Sequence, residues 1–361
     1  MNKRVIILAL VVSISLQIYA CRFTVREIGF STLSQDFFSL VIIDSSLSQN
    51  DQVYIRIREL FKKSNIRLLV LHPVLDQTHP AFLAARKANF SFPSRFLYSP
   101  DGRTLLLGDS NLEELADSVL HSPLRKYLSQ NFYTRFAFVL FIEGTNSEHN
   151  TLADNILKAN CFKITNRMPN MPRLVANGPE VLRISRNDFQ KERILLWTLG
   201  IEHIPPSPQA VVIYGRGRII GSITDYPDII NDQVFRCLAM IGADCECGLD
   251  RKWMLGDQIP LHWTSANSQQ LADELGFDVD NPIILAEMSH ILSKDQISDF
   301  NSAITFAPEE FDLDSLFSSS DNQHENEEAA GRKSPNPFLF ILIISVLILL
   351  SGLFIFLRRN K

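Results

Sequence analysis

Pro93-Ser94-Arg95-Phe96-Leu97-Tyr98, then Asp101-Gly102 and the short run Arg103 to Leu107, reads as a proline-led strand, a glycine turn and a returning strand. Pro208-Gln209-Ala210-Val211-Val212-Ile213-Tyr214, then Arg216-Gly217 and Arg218 to Ile220, reads the same way. Pro93 to Gly102 and Pro208 to Gly217 have equal separation, and the two prolines lie 115 residues apart. Such spacing marks an internal repeat.

The segments upstream extend the repeat. Copy one runs from a strand at Phe38 to Ile43 through a helix at Asp51 to Lys63, a strand at Ile66 to His72 and a helix at Pro80 to Ala88. Copy two runs from a strand at Phe136 to Ile142 through a helix near Thr151 to Lys158, a strand at Glu180 to Ser185 and a helix around Gln190 to Leu199. Each copy closes on a helix, Asn111 to Leu120 and Ile229 to Ile241. Crossover helices dictate parallel strands and the glycine turn dictates a hairpin, so each copy is expected to be a mixed α/β sheet.

This order of elements resembles the thioredoxin-like superfamily over roughly residues 36 to 128 and 134 to 243. In that family a proline, commonly cis, introduces the third strand; Pro93 and Pro208 match it, and Gly102 and Gly217 match the turn. The resemblance implies a groove beside each proline-led strand, with Pro93 and Pro208 as candidate binding residues. It also locates a departure. Family oxidoreductases carry Cys-x-x-Cys between the first strand of this unit and its helix, where the helix N-terminus stabilises a thiolate. Here those positions read Asp44-Ser45-Ser46-Leu47-Ser48 and Glu143-Gly144-Thr145-Asn146-Ser147, without sulfur.

The chain has 361 residues, a net charge of −5 and five cysteines, with 46% hydrophobic and 21% charged residues. This excludes a wholly disordered chain, a small disulfide scaffold and a polybasic nucleic-acid binder. Residues 1–20 read as a secretory signal: a positive start at Asn2-Lys3-Arg4, an apolar run from Val5 to Leu16, and a cleavage site at Ile18-Tyr19-Ala20. Ile18-Tyr19-Ala20-Cys21 also resembles a bacterial lipoprotein box that would lipidate Cys21, although Tyr19 departs from the small residue usual there. At the far end, Phe338 to Leu357 carries no charge and spans about 30 Å as a helix, the thickness of a hydrocarbon core. Arg358, Arg359 and Lys361 then mark the cytoplasmic side, so the preceding domains are expected on the periplasmic or extracytoplasmic face of a single-pass membrane protein.

Between these ends the expected organisation is an N-terminal segment 21–35, thioredoxin-like domains 36–132 and 133–248, a helical extension 249–307, a disordered acidic stalk 308–337 and a short tail 358–361. The stalk holds eight acids and two bases, a net of −6, which leaves the rest of the chain at +1. Folded domains so balanced offer no electrostatic argument for a charged substrate. In the extension, Ser268 to Leu275 and Ile283 to Leu292 have helical apolar spacing, with Ser265 or Asn267 as caps.

The remaining candidate for chemistry is Asp244-Cys245-Glu246-Cys247-Gly248. Two cysteines at i and i+2 of an extended stretch share one face, within reach of each other or of one soft metal, with His262 as a further ligand. Asp244 and Glu246 oppose thiolate formation there, and a structural bridge or a pair of packed thiols is the simpler reading. Cys237, with Val234, Leu238 and Ile241 at helical spacing, points to the core, and Cys161 lacks a local partner. Tyr214-Gly215-Arg216-Gly217-Arg218 joins two strands rather than opening a helix, so it is a hairpin tip and not a phosphate cradle, with arginines that could meet a partner's carboxylate. No cofactor is implied. The reading favoured by these features is a membrane-tethered exported protein whose non-catalytic domains bind or scaffold another envelope or membrane protein. Its alternatives are a thiol-redox or metal-handling protein using Cys245 and Cys247, and a structural subunit of the envelope.

Overall fold

The computed structural model describes residues 22–45, 51–108, 111–243 and 255–294. The leader, Cys21, the Cys245 and Cys247 stretch, the stalk and the apolar C-terminal segment lie outside them. Among the described residues no helix is long and apolar enough to cross a membrane.

After a first helix, α1 (Val25–Gly29), copy one runs β1 (Phe38–Ile43), α2 (Gln52–Phe61), β2 (Ile66–Leu71), α3 (Pro80–Lys87), β3 (Ser94–Tyr98), β4 (Thr104–Leu106) and α4 (Leu112–Leu120). A helix not read from the sequence, α5 (Pro123–Asn131), leads into copy two; Ser122 caps it and Pro123 opens it. Copy two runs β5 (Phe138–Ile142), α6 (Ser147–Arg167), β6 (Glu180–Ile184), α7 (Arg193–Thr198), β7 (Gln209–Tyr214), β8 (Arg218–Asp225), α8 (Tyr226–Ile230) and α9 (Gln233–Ile241). The extension supplies α10 (Ser265–Leu275), whose N-cap is Thr264 with Asn267 completing the capping box, and α11 (Pro282–Lys294).

Both sheets have the same strand order, β2-β1-β3-β4 and β6-β5-β7-β8. β1 and β2 are parallel, as are β5 and β6, and the remaining pairs are antiparallel. Central β1 and β5 are continuous apolar runs because helices cover both faces of each sheet. The registers superpose: Ile43, the last residue of β1, faces Ser94, and Ile142, the last of β5, faces Gln209. Pro93 and Pro208 therefore hold equivalent places, one residue before their strands. Gly102 and Gly217 make the turns at φ +89° and +72°, a region that L side chains avoid. Each half is therefore a four-stranded mixed α/β unit with the strand order, register and proline position expected from the sequence.

Two of the expected helices differ in extent. α6 has 21 residues, far beyond the Thr151 to Lys158 expectation, because its buried stripe is interrupted by Asn150 and Asn160 and does not read as apolar. The closing helix of copy two is broken at Asp232, whose φ of +59° separates α8 from α9.

The N-terminal segment is part of copy two. Phe23, Val25 and Ile28 share a core with Phe136, Tyr214 and Ile241. The joint is tight: a Cβ on Gly215 would lie 2.4 Å from the Gly29 backbone. Fully buried Arg218 fixes the same joint, donating to the carbonyls of Gly29 (3.2 Å), Ser31 (3.2 Å), Gly256 (3.4 Å) and Leu33. Its burial lowers the guanidinium pKa, an effect opposed by Tyr214 and Asp36. The halves also interlock: Trp197 of α7 enters the core cluster of copy one, edge-on to Phe38, while Arg103 donates to the Trp197 and Thr198 carbonyls at 2.7 and 3.0 Å.

Replacing Arg218 by Met strands these carbonyls and is expected to destabilise the chain by roughly 3 kcal/mol. Urea unfolding of the full chain checks this, with Arg218→Lys recovering only part of the loss because one ammonium cannot reach all four oxygens.

Candidate functional site

The loops after β1 and β2 leave the same end of sheet one, and β3 enters there, so residues 44–45, 72–79 and 92–94 cluster at one edge. The Phe92–Pro93 peptide bond is cis. Beside it, Ser94 Oγ is buried and meets no hydrogen-bond partner among the described residues; Tyr54 Oη, likewise buried and unpartnered among them, belongs to the opposite face of the sheet, where Tyr54 packs with Ile42 and Val70. Burial, reinforced by Asp44 and Asp51 and opposed by Arg95, pushes the Tyr54 phenol up to about 12, so it is a neutral donor at physiological pH. At the rim, Phe92 is partly exposed and stacks on Phe82 at 5.0 Å, while Val74 and Leu75 are 67% and 79% exposed. This end of copy one thus presents exposed apolar side chains, one uncommitted hydroxyl and no sulfur among its described residues.

The same end of copy two is closed by its own chain. Thr145 and Asn146 donate their backbone N–H groups to Pro205 and Pro206 at 2.9 and 3.1 Å. Gly144 is gripped from both sides by the Asn150 amide at 2.9 Å, and a Cβ there would lie 2.4 Å from the Ser207 backbone. Asn146 caps α6, and Glu143 is paired with Arg183. His149 stacks on Tyr226 at 3.9 Å and reaches Ser207 Oγ at 3.1 Å. The Ser207–Pro208 bond is trans. Beside Pro208 the carbonyls of Pro205 and Pro206 are therefore taken by the chain itself, while the positions of copy one that correspond to Thr145 and Asn146 lie outside the described residues. The residues that close copy two, Thr145 and Asn146 against Pro205 and Pro206, were not singled out in the sequence; their signal was the proline pair two residues before Pro208.

The chemical candidates separate as well. Cys245, Cys247 and Cys21 lie outside the described residues. Cys161 and Cys237 are free and buried, and burial pushes both thiols up to about 12, which removes thiolate at neutral pH. Among the described residues no group of three or more His, Cys, Asp or Glu could hold a metal ion. His262 meets His121, Nδ1 to Nε2 at 3.3 Å, and His121 Nδ1 meets Asp117 at 2.9 Å, while the other two candidate ligands, Cys245 and Cys247, lie outside the described residues. The hairpin arginines face inward rather than toward a partner's carboxylate: Arg216 pairs with Asp280 at 2.8 Å, and Arg218 is the carbonyl clasp described above.

No protein-family model matches the chain, and no curated protein matches it. Among solved structures it is similar to the first two thioredoxin domains of Naumovozyma dairenensis Eps1p, at 12% identity and a TM-score of 0.19. That match covers 53% of this chain and 85% of the other. The corresponding domains of Saccharomyces cerevisiae Eps1p match at 12% identity and a TM-score of 0.18, covering 54% and 87%.

Two outcomes follow from the buried groups. In the folded chain Cys161 and Cys237 are expected to resist alkylation at pH 8 and to react only after denaturation, as mass spectrometry of labelled peptides would reveal. Burial, with His121 and Lys63 nearby, lowers the pKa of His262, so protonation favours the unfolded chain. Its contribution to stability is full above about pH 6.5, the ordinary imidazole value, and declines as the pH falls toward the lower folded-state value. The melting temperature should fall between pH 7.5 and 5.5, and fall less in His262→Gln.

Proposed function

We propose that the chain is a thioredoxin-like binding protein that works without a dithiol and docks an extended polypeptide against the Pro93 end of its first sheet. One observation carries this reading. The Pro93 end carries exposed Val74, Leu75 and Phe92 and, next to its cis proline, a buried Ser94 hydroxyl without a partner among the described residues, whereas the Pro208 end is bonded to its own chain. Exposed apolar side chains supply contact area, and a buried donor supplies selectivity for a backbone carbonyl. Export and tethering through residues 338–357 belong to the same proposal and rest on the sequence of the two ends. They would confine the docking surface to the outer side of a membrane, where another membrane or envelope protein is the natural partner class.

The test is titration of the full chain, held in nanodiscs, with a panel of fluorescent extended apolar peptides. Binding is expected, and the pair Val74→Glu and Leu75→Glu should weaken it at least about tenfold, since charge replaces the contact area. His149→Ala, at the closed end, should leave it unchanged. Peptide binding indifferent to the Val74 and Leu75 changes would overturn the reading. Binding lost in Cys245→Ser or Cys247→Ser would favour thiol chemistry instead.

A further inference from the structure

A second recess lies where the two copies and the extension meet, a cleft of about 380 Å³. Copy one contributes Phe37 together with Lys62, Lys63 and Asn65 from the turn between α2 and β2; copy two contributes Arg216 from its hairpin tip; the strap before α10 contributes Trp263. Three of the lining residues are cations and none is a carboxylate. The excess is local, because the folded region as a whole is nearly neutral, and it is reduced by Glu59 beside Lys62 and Asp280 beside Arg216.

The cations are incompletely used. Lys62 turns to Glu59 at 2.6 Å, but Lys63 rests on the Ser265 hydroxyl at 2.5 Å and makes no ion pair among the described residues. Arg216, its side chain 9% exposed, shares a single contact with Asp280, leaving Arg216 Nε and Asp280 Oδ1 without partners. The guanidinium sits over the Trp263 ring at 5.0 Å, and Arg67 covers the Phe37 ring at 3.4 Å. A planar guanidinium and a mobile ammonium are complementary to an oxyanion, and the aromatic residues beside them suit a flat apolar body.

We propose that this cleft binds a small organic ligand carrying an oxyanion, carboxylate or phosphate, on an aromatic or similarly flat apolar body. The site is separate from the Pro93 end and does not depend on the docking function assigned there. Its volume falls within the range of small-molecule pockets, roughly 300 to 1,000 Å³.

Calorimetric titration of the full chain with phenyl phosphate, benzoate, inorganic phosphate and benzyl alcohol tests this. At least one of the two aromatic oxyanions should bind saturably, about tenfold or more tighter than inorganic phosphate, and benzyl alcohol should not saturate. The relative affinities of phenyl phosphate and benzoate identify the oxyanion. Lys63→Met, a change at the surface, should weaken binding at least about fivefold, and added salt should weaken it further. Arg216→Gln risks the fold through Asp280, so Lys62→Met serves as the second variant. No saturation by either aromatic oxyanion up to about 10 mM, a weak affinity of only about 3 kcal/mol, would overturn the proposal. So would affinity unchanged in both lysine variants, or equal affinity for inorganic phosphate.

Discussion

The architecture depends on buried arginines that are satisfied by backbone oxygen. Arg218 collects the carbonyls of Gly29, Ser31, Leu33 and Gly256. Arg26 does the same for Phe132, Tyr133 and Arg135, and Arg125 for Ser118 and Val119. Arg218 and Arg26 stand where irregular chain is forced inside, and Arg125 where the last turn of α4 ends; each meets acceptors that would otherwise stay unpaired, which is costly away from water. Burial brings Arg26 and Arg125 down to about 10, so both remain charged at neutral pH. The same contacts explain why residues 22–33 fold as part of copy two: that segment provides carbonyls the hairpin tip requires.

The two copies of the unit differ at their proline ends. Register and proline position are shared, so the difference lies in what surrounds the proline. In copy two, Pro205 and Pro206 offer carbonyls that Thr145 and Asn146 fill, and the small Gly144 allows the close approach. In copy one, the cis proline is flanked by phenylalanines, Phe90 against Phe96 and Phe92 against Phe82. The first arrangement consumes the backbone groups of the site, whereas the second leaves apolar surface at its rim.

The sheet architecture was legible because its strands are short apolar runs punctuated by proline and glycine. Phe38 to Ile43 and the Pro93 to Gly102 hairpin match the observed elements closely. The long helix α6 was not, because its buried positions include Asn150 and Asn160, and periodicity counts only apolar letters. Closure of the second site was hidden for a different reason: it is made by backbone groups, which every residue carries. The cationic cleft was equally invisible, since Lys63, Arg216 and Trp263 are far apart along the chain and the net charge of the folded region conceals a local excess.

The insertion of Trp197 into the core of copy one has a consequence for how the protein can be divided. An indole from the second half completes the interior of the first, and Arg103 latches the helix that delivers it. A fragment ending near residue 132 would carry an empty socket lined by Phe38 and its neighbours, with hydrocarbon open to water. The first unit therefore depends on the second for its interior, and the natural piece to express or transplant is the tandem rather than the first half alone.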